Sequence, residues 1–178
     1  ADKRVLIVHT AGKGTRNYPL TASPPAYGNK GLIMTPTVVQ GRSITYLEQS
    51  IVQSYALLDR TELGTVTVIS CDQYWTVPAR VLPMAHAIEV FGKTETLDEG
   101  MTGLGLIKTD PATHNIVQMI EKADWATIQA EFPEGAANVN WAMYRFNANV
   151  VDDLISIYSG VPGEIDTSMD FLEAVTME

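Results

Sequence analysis

Gly12 and Gly14, with Lys13 between them and Arg16 close behind, are the first residues in this chain whose spacing could do chemistry. Glycines let backbone N–H groups close on an anion, because no Cβ blocks the approach. Lysine and arginine beside them neutralise phosphate charge, and the arginine fork can grip two oxygens. The group reads as a phosphate cradle; the plain alternative is a glycine turn with solvated cations. Two common phosphate motifs fit poorly. A Walker A loop would place its first glycine at Ile7 and would replace its Ser/Thr by Gly14. A dinucleotide fingerprint would need its third glycine at Asn17. A second chemical candidate is Asp72, a hard oxygen ligand suited to Mg²⁺ shared with substrate phosphates, or otherwise a turn or capping aspartate.

These residues need elements to hold them. The apolar run 5–8 predicts a short buried strand that ends at the glycine loop. Ser43 reads as the N-cap of a helix to about Leu58, with Ile44, Leu47, Ile51, Tyr55 and Leu58 as a core-facing stripe. Residues 65–70, rich in β-branched side chains, predict a second inner strand. Strand, helix and strand in that order imply a right-handed parallel crossover. Asp72 then falls on the same sheet edge as the glycine loop, where open α/β sheets bind ligands. His9 interrupts the first strand, either to face a bound base or as a hydrogen-bonded core histidine. Further on, 85–91 and 103–107 read as strands, 110–113 as a turn, and 116 onward as the return strand. A short helix from Asp124, a strand over 138–146 and an amphipathic helix over 150–158 complete the reading.

Composition narrows the function classes. At 178 residues with 46% hydrophobic and 19% charged side chains, a single domain over 1–178 that buries a real core is expected. A net charge of −9 argues against a nucleic-acid surface. The single cysteine excludes an intrachain disulfide and a cysteine zinc site. No apolar run approaches the roughly 20 residues needed to span a bilayer, and no signal peptide precedes the first strand. A cytoplasmic protein with no membrane partner is expected.

Ala11-Gly12-Lys13-Gly14-Thr15-Arg16, followed after two residues by Pro19-Leu20-Thr21, resembles the signature of the sugar-phosphate nucleotidyltransferases. The resemblance continues as an ordered series of shorter motifs. Lys30 stands where the family has a lysine after Pro-Leu-Thr, although Asn29 replaces the usual proline. Asp72 stands where the family binds a metal. Gly105 lies in a glycine-containing strand, and Glu121-Lys122 follow where the family has Glu-Lys-Pro, with Ala123 for the proline. The run 138–146 is similar to the family's Asn…Gly-Ile-Tyr-x-Phe element, with Ala142 for the glycine. Asp166 is matched to a C-terminal metal aspartate.

The resemblance implies a three-layer α/β/α sandwich around a mixed, mostly parallel sheet. The chain is somewhat short for the family, as a compact or trimmed member, or one without flexible loops, would be. It also implies transfer of a nucleotidyl group from an NTP to a sugar 1-phosphate, giving NDP-sugar and pyrophosphate, with Mg²⁺ as cofactor and with room for a homo-oligomer. In that reading Gly12, Lys13, Gly14 and Thr15 bind the nucleotide, and Arg16 holds the leaving pyrophosphate. Lys30 neutralises the α-phosphate, while Asp72 and Asp166 hold the metal. Gly105, Glu121, Lys122 and Asn140, or Asn138 in its place, hold the sugar phosphate. A sugar phosphate is already a nucleophile at neutral pH, so positioning and charge neutralisation suffice. The substitutions at Asn17, Asn29, Ala123 and Ala142 point to the rival, a non-catalytic nucleotide- or sugar-phosphate-binding regulatory domain.

Overall fold

β1, Arg4–His9, lies parallel to β4, Thr65–Ser70, with Arg4 beside Thr65 and His9 beside Ser70. This pair anchors one of two compact units in the computed structural model, which describes residues 3–10, 20–22, 24, 26, 29–59, 61–71, 83–85 and 87–151. The first unit comprises Ala1–Glu89 with Met143–Ala148, and the second Val90–Ala142 with Asn149–Glu178.

In the first unit, β2 (Met34–Val39) and β3 (Arg42–Thr45) form an antiparallel hairpin. Val39 pairs with Arg42, so Gln40 and Gly41 are the whole loop, and both have positive φ, 51° and 81°. That is the turn whose twist matches paired strands. The hairpin feeds α1, Tyr46–Leu58. Thr45 rather than Ser43 is its N-cap, because Thr45 and Glu48 close a reciprocal capping box. Ile44, expected on the helix, therefore sits in β3.

The expected core stripe of α1 also needs correction. The helix buries Ser50, Ser54 and Leu57, while Ile51 and Val52 are exposed and Tyr55 is 70% exposed. Small hydroxyls let the helix backbone come close to its neighbours and satisfy themselves locally. Ser50 Oγ donates to the Cys71 carbonyl at 2.7 Å, and Ser54 Oγ donates to the Ser50 carbonyl. β1 is likewise not the buried strand its apolar run predicts. It is the outermost strand of its ladder, and it exposes Val5 and Ile7 while half-burying Leu6 and Val8.

The second unit is built on antiparallel ladders. β6, Gly105–Thr109, pairs with β7, Ile116–Glu121, through the turn 110–115. Asp110 organises that turn: its carboxylate accepts from the Ala112 and Thr113 N–H groups and the Thr113 hydroxyl. β6 also pairs with β8, Ala136–Asn147, which pairs in turn with β5, Ile88–Thr96; of these two strands, residues 136–142 and 90–96 belong to this unit. α2, Trp125–Glu131, is capped by the Asp124 carboxylate, which accepts from the Thr127 N–H at 2.8 Å. It covers one face of the ladder, where Met101, Leu106, Ile120, Ile128, Phe132 and Ala137 form the core.

The three-layer α/β/α sandwich with a mostly parallel sheet is not what these residues build. They form mixed α/β structure with a mixed sheet, and 44% of the described residues are strand. Among the described residues, β1 with β4 is parallel, and β4 with β8, β6 with β7 and β6 with β8 are antiparallel. The physical reason is connectivity. A parallel neighbour needs a crossover of a dozen residues or more, whereas β6 returns to β7 through the short turn 110–115.

Candidate functional site

Three neighbouring strands of the second unit place three of the sequence-derived residues side by side. Gly105 on β6 pairs with Glu121 on β7, and the β6–β8 register sets Asn140 on its other flank. Gly105 makes the arrangement possible. A Cβ there would stand 2.7 Å from Glu121 Oε2, 3.5 Å from Asn140 Cβ and 3.7 Å from Asn140 Nδ2. The Glu121 carboxylate thus leans across a gap that only glycine leaves open.

The backbone around these side chains is unusual. Lys122, which follows Glu121, has φ 49°, and Ala142, two residues past Asn140, has φ 48°. Non-glycine residues in this region cost of order 1 kcal/mol and gather where a side chain must be aimed. At Lys122 the chain leaves β7, and its N–H bonds the Leu104 carbonyl at 3.0 Å. At Ala142 the N–H donates to Asn140 Oδ1 at 2.8 Å, which turns the Asn140 amide nitrogen the other way. Lys122 Nζ lies 3.2 Å from Glu121 Oε1, with the lysine largely exposed and the glutamate mostly covered. The cluster brings a carboxylate, an amide and a cation together beside Gly105. Such a set suits hydroxyls beside a phosphate.

Asn138 lies on the same face of β8 as Asn140, one alternation earlier. Its Oδ1 accepts from the Thr94 hydroxyl at 2.7 Å, and its strand partner is Ile107. Asn140 is therefore the asparagine beside Gly105 and Glu121, a choice the alternation alone left open.

Lys30 belongs to the first unit and opens a 3₁₀ turn, Lys30–Leu32. Asn29 caps this turn by accepting from the Gly31 N–H at 2.8 Å. Gly31 is buried, and a Cβ on it would lie 3.1 Å from Cys71 Sγ. Gly12, Lys13, Gly14, Thr15, Arg16, Asp72 and Asp166 lie outside the described residues, as do His86 and most of the expected helix 150–158. Among the described residues no group of three or more His, Cys, Asp or Glu is placed to hold a metal ion. No helix among them is long and apolar enough to cross a membrane.

Sequence reading missed one polar pair altogether. Arg145 on β8 is 3% exposed, and its guanidinium grips Glu89 through Nε at 2.9 Å and through Nη2. Nη2 also donates to the Pro83 carbonyl at 3.3 Å. An arginine inside an alternating apolar strand was the available signal, since such a charge is buried only with a partner.

No protein-family model matches this chain, and no curated protein matches it.

Proposed function

We propose that the Gly105–Glu121–Lys122–Asn140 cluster is the sugar-phosphate subsite of a sugar-1-phosphate nucleotidyltransferase. The observation that carries this reading is the seating of Glu121 over Gly105 beside Asn140, from three successive strands. Chance alignment of a short motif series does not require its members to meet. The proposal rests on this meeting and on the glycine–cation motif at residues 12–16, not on a three-layer fold.

In this reading Glu121 accepts from sugar hydroxyls, the Asn140 amide donates to one, and Lys122 neutralises the phosphate. Gly12, Lys13, Gly14 and Thr15 cradle the nucleotide phosphates, Arg16 meets the charge growing on pyrophosphate, and Lys30 meets the α-phosphate. Asp72 and Asp166 are the carboxylates assigned to Mg²⁺, which would supply further charge neutralisation. Substrates of this kind, an NTP and a sugar 1-phosphate, go with a cytoplasmic location.

Pyrophosphate release from NTP, dependent on an added sugar 1-phosphate, tests the proposal. Turnover that vanishes in Glu121→Ala and Lys122→Ala while calorimetric NTP binding persists is the expected result. Sugar-phosphate binding without pyrophosphate release from any NTP would leave a regulatory binding domain instead.

A further inference from the structure

The turn that carries Lys30 has little freedom. Asn29 N–H donates to the Ala26 carbonyl at 2.8 Å, and the Leu32 and Ile33 N–H groups donate to the Asn29 and Lys30 carbonyls at 3.1 and 3.2 Å. The Ile33 carbonyl then accepts from the Tyr46 N–H, where α1 begins, at 3.0 Å. Gly31, buried in the middle of the turn, lacks the positive φ that Gly41, Gly64 and Gly135 adopt. What glycine supplies here is space. A Cβ would stand 3.1 Å from Cys71 Sγ and 3.2 Å from Asn29 Oδ1, the oxygen that already holds the Gly31 N–H. Cys71 yields little, because it is fully buried and tied at both backbone groups. Its N–H donates to the His9 carbonyl at 3.0 Å, and its carbonyl accepts from Ser50 Oγ at 2.7 Å. His9 ends β1 and Cys71 follows β4, so the thiol marks the carboxyl edge of this parallel pair. Lys30, one residue before Gly31, is thereby fastened to that edge.

We propose that Gly31, Asn29 and Cys71 are positioning residues that act through Lys30. The Cys71 thiol sets how closely the turn sits on the strand edge, and the Asn29 cap fixes its orientation. The inference rests on the nucleotidyltransferase reading, in which Lys30 meets the α-phosphate. None of the three touches substrate in this account; each matters only because it holds the ammonium group in place. The charge that Lys30 neutralises grows in the transition state, so misplacing it slows turnover more than it weakens nucleotide capture. A methyl on Gly31 forces its neighbours apart by a few tenths of an ångström. Misplacement by about 1 Å costs on the order of a hundredfold, so this smaller shift should cost several-fold.

Steady-state pyrophosphate release by the full chain tests this, with ATP, GTP, CTP, UTP or dTTP and glucose, galactose or mannose 1-phosphate. Gly31→Ala should lower kcat about fivefold and leave the KM for the nucleotide nearly unchanged. Adding Cys71→Ala, which removes the sulfur from the path of the new methyl, should recover most of that loss. Asn29→Ala should also lower kcat several-fold, and Asn29→Ser, which keeps an acceptor for the Gly31 N–H, should restore it. The Asn29 variants keep the test decisive if Gly31→Ala misfolds. In Lys30→Ala protein, Gly31→Ala and Asn29→Ala should lower kcat no further, whatever they do to Tm. Unchanged kcat in both single variants, no recovery in the double variant, or losses fully additive with Lys30→Ala overturn the inference while sparing the nucleotidyltransferase reading. Wild-type protein that releases no pyrophosphate with any of these pairs overturns that reading, and the inference with it.

Discussion

Glu121 Oε2 occupies the space above Gly105 that a side chain would fill, 2.7 Å from the position of the missing β-carbon. The acceptor of the cluster is therefore set by a residue on another strand. Gly105→Ala should push the carboxylate away from Asn140 while leaving the β6–β7 ladder intact, since the displaced atoms end a flexible side chain. Sugar 1-phosphate affinity should fall about tenfold or more, as for losing a charged hydrogen-bond acceptor. Adding Glu121→Ala to that variant should cost little more, because both changes remove one interaction. Fully additive losses in calorimetry would show that Gly105 does not act through Glu121.

Ala142 has φ 48°, a backbone state that glycine adopts freely. Ala142→Gly should stabilise the protein by about 0.5–1 kcal/mol, the relieved strain less the added chain entropy. That corresponds to a rise of about 1–4 °C in Tm for a chain of this size. Ala142→Val should lower Tm, because a branched β-carbon fits that region worst. A glycine variant that melts earlier than the wild type would contradict this.

Glu48 gives the protein an acid-labile contact. The Arg42 guanidinium chiefly, with the Thr45 N–H, holds its carboxyl down at about 2 from the usual 4.5. The unfolded chain takes up this proton near 4.5 while the folded chain resists to about 2. The stabilisation is thus complete above 4.5 and is lost as pH falls toward 2. Asp110 and Asp124, lowered first by the Thr113 and Thr127 N–H groups respectively, act in the same direction. Glu48→Gln should flatten the acid limb of denaturant-midpoint against pH; an unchanged slope would rule out this contribution.

Arg145 and Glu89 form the most buried ion pair described, with the arginine 3% exposed. Arg145→Met should destabilise by about 3–5 kcal/mol, mostly through the carboxylate left without its partner. Arg145→Met with Glu89→Leu should recover much of that loss in urea unfolding. A double variant as unstable as the single would mean that packing around the guanidinium, rather than charge, is at stake.

Local signals in the sequence predicted the second unit well. Alternating 103–107 and 116–121, with Asp110-Pro111 between them, can satisfy their backbone in few ways other than a hairpin. Asp124 before a short apolar run is a direct capping signal, and the helix it predicts forms. The first unit was less legible. Gln40-Gly41 lacks the Asn-Gly or Asp-Gly that marks a two-residue turn, and Pro36 obscures β2 as a strand, so the hairpin went unread. In α1 the apolar stripe faces inward only in part: Leu47 and Leu58 are half-buried, while Ile51 and Tyr55 are exposed. Burial there was decided by how closely a helix can approach Cys71, which favours Ser50 and Ser54, and residue type alone does not report that distance. Of the site, the hairpin sets Gly105 beside Glu121, but no local signal placed Asn140 on their flank. Periodicity says which face a residue occupies, not which strands are neighbours.

The outward-facing Ile51, Val52 and Tyr55 of α1 have a consequence for the protein in solution. An apolar stripe open to water is kept from self-association largely by mutual repulsion of like-charged molecules. Here that repulsion comes from a formal charge of −9, which disappears as pH approaches the isoelectric point near 4.7. Colloidal stability should therefore fail in mildly acidic buffer, well above the pH at which Glu48 loses its contact with Arg42. Turbidity near that pH that Tyr55→Lys relieves would identify the helix surface as its origin.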